Sequence, residues 1–220
     1  AAHEAMQGSL AAHLTQGAAG SRSAISTIQT PVLSSSVTEL LQNFSDIVEV
    51  QPTGVIIKAD LTHNERLIDL QRELTDNPNS DVSDAAYWIA SAITNARNIP
   101  IISADKMYRE KPKMERRWVI PAENMRFGGL IQAATFYEDL DRVNAAGIAE
   151  LAASEKGYSG LKSNKMFSGA VQLAHAYAGS SSPIMLQADH RQVKAEDIYG
   201  LDETKIPAGV SKEDFAQQFA

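Results

Sequence analysis

The sequence predicts an α/β fold whose second half is built from parallel strand–helix units. Three observations lead there. Beyond residue 117, short apolar runs alternate with segments of helical spacing in the order strand–helix–strand–helix–strand, the pattern of βα units. The run Ile184–Gln187 has the length of a buried strand and ends in Ala188, Asp189 and His190. Ala59-Asp60 and Ala104-Asp105 repeat that ending, with Ala122-Glu123 close behind. In parallel α/β folds, ligands and catalytic groups gather at the carboxyl ends of strands.

Composition narrows the function classes. Hydrophobic residues make up 44% of the 220, enough for a substantial core. A formal net charge of -7 argues against a nucleic-acid partner bound through a basic face. The chain has no cysteine, which rules out thiolate chemistry, disulfides and Cys-ligated zinc. Any metal must be held by His, Asp or Glu. No apolar run approaches the ~20 residues of a membrane-spanning helix.

The elements follow in order. Residues 5–38 carry a single cation, Arg22, and no acid in a background of Ala, Ser, Gly, Thr and Gln, so residues 1–35 read as a low-charge arm. Ser36-Val37-Thr38-Glu39 is a capping box opening a helix to about Val48, and Thr62-His63-Asn64-Glu65 is another, opening a helix to about Leu74. Between them, Val48–Val50 and Val55–Lys58 flank Pro52-Thr53-Gly54 as two strands around a turn. Asp76–Asn79 is a loop. A helix over 82–97 places Ala86, Ile89, Ala90 and Ile93 on one face, and a strand Ile99–Ser103 follows. Residues 36–115 thus make a small α/β extension. The charged stretch Lys106–Arg117 reads as a solvated connector and marks the boundary with residues 116–220.

Trp118–Ile120 is the next strand, and Phe127, Leu130, Ile131, Ala134 and Tyr137 keep helical spacing. Residues 145–151 are ambiguous on periodicity alone. Met166, Ala170, Leu173 and Tyr177 mark a helix before the final strand. Asp60 and Asp105 read as acids that start the next turn or helix. His63 reads as part of a helix start and His175 as a helix-surface residue.

Glu150-Leu151-Ala152-Ala153-Ser154-Glu155, then Gly157-Tyr158-Ser159-Gly160, an Ala-rich helix and Pro183-Ile184-Met185-Leu186-Gln187-Ala188-Asp189-His190 together resemble the class II, metal-dependent ketose-bisphosphate aldolases, in particular their fructose- and tagatose-bisphosphate branches. The similar segment runs from about Trp118 to Gln192. The resemblance implies a TIM-type (β/α) barrel and makes 146–151 a strand. About a hundred residues follow Arg117, whereas an eight-stranded barrel takes about 250. The expectation is therefore the N-terminal part of a longer barrel, a barrel completed by another chain in a homo-oligomer or by a second subunit, or a barrel that has decayed.

The resemblance also implies roles. Asp189 would handle the proton at the breaking carbon–carbon bond. His190 would help hold a divalent cation, Zn2+ by analogy, which polarises the ketone of a sugar phosphate. Asn124, Glu150 and Ser159 would line the same mouth. A cytoplasmic enzyme of carbohydrate metabolism, free of membrane partners, is the corresponding expectation. Two alternatives use other features. A non-catalytic binding or assembly subunit could be built on the same fold. Glu155 with Gly157-Tyr158 and Ser168–Leu173 resembles the spacing of lytic transglycosylases, in which one carboxylic acid acts as general acid.

Overall fold

Parallel pairing follows from the spacing of the strands, because each next partner is reached only through a crossover. A computed structural model of the chain describes residues 32–110, 120–126, 129–189 and 211. In chain order the first half comprises α1 (Val37–Asn43), β1 (Val48–Gln51), β2 (Gly54–Ile57), α2 (Arg66–Thr75), α3 (Ser80–Ala96), β3 (Ile101–Ser103) and α4 (Ala104–Glu110). The second half comprises β4 (Ala122–Asn124), α5 (Leu130–Arg142), β5 (Ile148–Ala152), a 3-10 turn (Ala153–Glu155), α6 (Lys156–Ser159), α7 (Asn164–Tyr177) and β6 (Ile184–Asp189). Strands β1 and β2 form an antiparallel hairpin with Val50 opposite Val55. The other four make a parallel sheet in the order β3-β6-β5-β4.

The two faces of that sheet meet different neighbours. Register partners share a face, as do residues two apart along a strand. One face carries Ala149, Leu151, Ile184 and Leu186, which join the main core with Ala133, Ala134, Tyr137 and Leu140 of α5 and Ala170, Leu173 and Ala174 of α7. The other face carries Ile148 and Met185, which form a separate small cluster with Ala104 under Ile102 and Met107. Beyond that cluster, towards the carboxyl ends, the second face turns polar: Asn124, Glu150, Gln187 and Asp189. No helix among the described residues is long and apolar enough to cross a membrane.

Several expectations need correction. The stretch from Lys106 is not all connector: α4 occupies its first part, and Met107 packs one turn from Ala104 over the sheet. The boundary expected there does not divide two cores, since one hydrophobic core runs from Leu40 to Ile184 and β3 pairs directly with β6. Of the strand expected at Trp118–Ile120, Trp118 and Val119 lie outside the described residues and Ile120 is not in a strand; the described strand here is Ala122–Asn124. The second capping box does not form. His63 has φ +54, Asn64 Oδ1 accepts the Arg66 N–H, and α2 begins only at Arg66. In the first box, Ser36 Oγ accepts the Glu39 N–H as anticipated, but Glu39 reaches back to Ser35 rather than Ser36. Asp60 and Asp105 behave as turn and helix starters: Asp60 accepts the Thr62 N–H, and Asp105 sits in the first turn of α4 against Arg109.

Close helix packing explains the small residues of α7. A Cβ on Gly169 would stand 2.6 Å from Leu74 Cδ2 and 3.0 Å from Tyr87 Cδ2, so α2 and α3 approach at a distance only glycine leaves open. His175, one of the expected surface residues, is fully buried on this helix. Tyr137 of α5 is buried too, and its hydroxyl has no partner among the described residues. Burial raises the pKa of that phenol, so it stays neutral. Tyr137→Phe removes an unsatisfied polar atom and keeps the ring; it should be neutral or stabilising by up to about 1 kcal/mol. A loss of stability in urea melts would reveal a partner for the hydroxyl.

Of the arm expected over residues 1–35, residues 1–31 lie outside the described residues, and Ser34 does not fit it. Ser34 is buried, its N–H and Oγ donating to Glu73 Oε1 at 2.9 and 2.6 Å. Asn77 Nδ2 donates to Glu73 Oε2 at 2.6 Å and to the Ser34 carbonyl at 2.8 Å. Glu73→Ala leaves these buried donors unmatched and should cost about 2–3 kcal/mol. Chemical denaturation measures it; an unchanged midpoint would show that water replaces the carboxylate without loss.

Candidate functional site

The polar end of the second face is the candidate site. It exists because β4, β5 and β6 carry apolar residues in their first halves and polar ones where they emerge. Backbone register sets Asn124, Glu150 and Gln187 side by side, and Asp189 one step beyond, opposite Ala152. Gln187 Nε2 donates to Glu150 Oε2 at 3.2 Å across the strands. The ladder continues past β4 through the Met125 N–H to the Glu150 carbonyl at 2.8 Å.

Asn124 is the hub. Its Nδ2 donates to Glu155 Oε2 at 2.8 Å and stands 3.5 Å from Asp189 Oδ2, a long contact. Its carbonyl accepts Gln132 Nε2 from α5 at 2.9 Å, and the same amide holds Glu123 at 2.8 Å. Arg126 Nε donates to Asn124 Oδ1 at 3.4 Å. A guanidinium can only donate and an ionised carboxylate can only accept, so the orientation of the Asn124 amide is fixed between them.

Glu155 closes the rim of the site. As the third residue of its turn it reaches back to the Ala152 N–H, 3.0 Å from Oε2, the backbone half of a capping box. Arg126 Nη2 pairs with Oε1 at 3.3 Å. The Ala152 N–H first, then the Asn124 amide, the Arg126 charge and the Tyr158 hydroxyl hold this carboxyl below the usual range. A general acid requires the opposite shift. The transglycosylase-like use of Glu155 therefore finds no support in its surroundings.

Of the residues singled out from sequence, Asn124, Glu150 and Asp189 come together at the strand ends. Ser159 does not join them. It is buried in α6, accepts the Leu161 N–H at 3.2 Å, and lines a separate groove of about 330 Å3 with Arg72, Thr75 and Gly129. His190 lies outside the described residues. Among the described residues, no group of three His, Asp or Glu side chains converges to hold a metal ion. Arg126 escaped the sequence reading. Its only signal is a cation two residues beyond a strand-end Asn, a spacing too common to stand out.

Comparison with family models, with curated proteins and with solved structures gave no match to this chain.

Proposed function

We propose that this chain carries part of the active site of a metal-dependent aldolase that cleaves a ketose bisphosphate into triose phosphates. One observation carries the reading: three consecutive parallel strands, β4 to β6, bring Asn124, Glu150, Gln187 and Asp189 to one face at their carboxyl ends. Ligands bind at that end in parallel α/β folds. The resemblance of residues 118–192 assigns the same strand ends to sugar-phosphate chemistry.

In this reading Asp189 takes the proton from the hydroxyl beside the breaking carbon–carbon bond, and the bonding electrons pass into the neighbouring ketone. Asn124 orients Asp189 and the substrate oxygens, and Glu150 with Gln187 lines the floor. A divalent cation, Zn2+ by analogy, would supply Lewis-acid polarisation of the ketone. The described carboxylates offer oxygen donors, but alone they do not make a cation site. His190 is the ligand that the resemblance adds.

The β4–β6 units correspond to the start of a (β/α) barrel. Strand β3 pairs with the edge of β6 away from β5, where a fourth consecutive strand would lie, so barrel closure would require that edge to be vacated. A sugar-phosphate substrate and completion by further chain or a second copy belong to the same reading. The test is a coupled assay for triose phosphate with fructose and tagatose bisphosphates, run with Zn2+ and after chelation. Cleavage that chelation stops would support the proposal. Metal-loaded protein inert toward both sugars would remove it.

A further inference from the structure

We propose that Arg126 binds the phosphate group of the ligand at the strand-end site. The inference rests on the sugar-phosphate reading above and adds a phosphate-binding residue that the resemblance does not assign. Arg126 lies two residues past the end of β4, at the mouth of the site. Its Nε donates to Asn124 Oδ1 at 3.4 Å, and Nη2 stands 3.3 Å from Glu155 Oε1 as an ion pair. These contacts anchor the group by its side. Nη1 takes no hydrogen bond among the described residues, and the side chain is 51% exposed.

A guanidinium anchored along one edge and open along the other is a prepositioned bidentate donor. That geometry matches two oxygens of a phosphate monoester. The nearby acids do not remove the case for an anion. Glu155 already receives the Ala152 N–H, the Asn124 amide, the Tyr158 hydroxyl and Arg126. Glu150 receives Gln187, and Glu123 receives Gln132. The fixed orientation of the Asn124 amide also turns its oxygen toward Arg126 and its donor toward Glu155 and Asp189.

The test is phosphate binding to the full chain, by 31P line broadening with inorganic phosphate and by calorimetry with dihydroxyacetone phosphate against dihydroxyacetone. Wild-type protein should prefer the phosphorylated ketone. Arg126→Gln should weaken phosphate at least tenfold, and Arg126→Lys should recover only part of the loss because a point charge lacks the fork. Thermal midpoints should move little in either variant. Equal phosphate affinity in wild type and Arg126→Gln overturns the inference, as does wild-type protein that does not bind phosphate. Aldol cleavage with KM unchanged in Arg126→Gln would sink it while sparing the proposed reaction. Arg126-dependent phosphate binding without cleavage would spare it and sink the reaction.

Discussion

Asp189→Ala should abolish aldol cleavage while leaving the fold in place. Asp189 ends β6 opposite Ala152, with its side chain on the polar face beyond the Ile148–Met185 cluster. It is half-buried and contributes nothing to the main core. Removing it therefore costs little packing, and far-UV spectra and melting should stay close to wild type. The chemistry has no such margin. A positioned proton-transfer group contributes about 10^2–10^4-fold to a rate, so kcat should fall by about a thousandfold with KM less affected. Asp189→Asn should fall as far, since the amide cannot accept the proton. His190→Ala should also abolish turnover if that imidazole holds the cation. Asn124→Ala should lower turnover less, because its 3.5 Å contact positions the carboxylate without replacing it. Activity retained in Asp189→Ala would mean that these strand ends are not where the bond breaks.

Legibility in the sequence tracks how local the determining physics is. The hairpin Val48–Ile57, the long helix through Ala86, Ile89, Ala90 and Ile93, and the strand ending at Asp189 were readable from spacing and turn residues. Each depends on its own residues. The strand Ile148–Ala152 needed the family resemblance, because a short apolar run satisfies helix and strand alike. The pairing of β3 with β6 joins residues about eighty positions apart, and no local pattern encodes it. The same holds for the site. Asp189 and Glu150 announce themselves as acids at strand ends, whereas Arg126 matters only because Glu155 folds back over Asn124. Ser159 shows the converse error: a hydroxyl in a plausible turn whose side chain is spent on its own backbone.

His175 illustrates that limit at its largest energetic cost. Its helix continues to Tyr177, and the sequence placed the ring on the surface. In the fold the imidazole is fully buried, edge-on to Tyr137 with ring centroids 4.8 Å apart. Its Nε2 lies 2.8 Å from the Ser182 carbonyl and its Nδ1 3.0 Å from Arg97 Nη1. A carbonyl only accepts and a guanidinium only donates, so the neutral Nε2–H tautomer satisfies both contacts. Arg97 also donates to the Ser180 carbonyl at 2.7 Å, and Ser180 Oγ donates to Asp141 at 3.1 Å. The ring thus ties the end of α3 to the loop that feeds β6. His175→Ala should destabilise the chain by about 3–5 kcal/mol, combining a cavity with two unmatched polar partners. Burial is the main cause lowering the imidazole pKa to about 4, the Arg97 charge adds to it, and the Ser182 hydrogen bond and Asp141 oppose it. The unfolded chain takes up this proton near pH 6.5 and the folded chain does not. Stability should therefore be fully present above pH 6.5, fall as pH drops from there toward 4, and lose about 3 kcal/mol to this residue. Urea melts from pH 7.5 to 4 should show a steeper fall in wild type than in His175→Gln, which lacks the imidazole but keeps the slope of lowered carboxyls such as Glu155. Equal slopes in the two proteins would place the imidazole in contact with water rather than in the core.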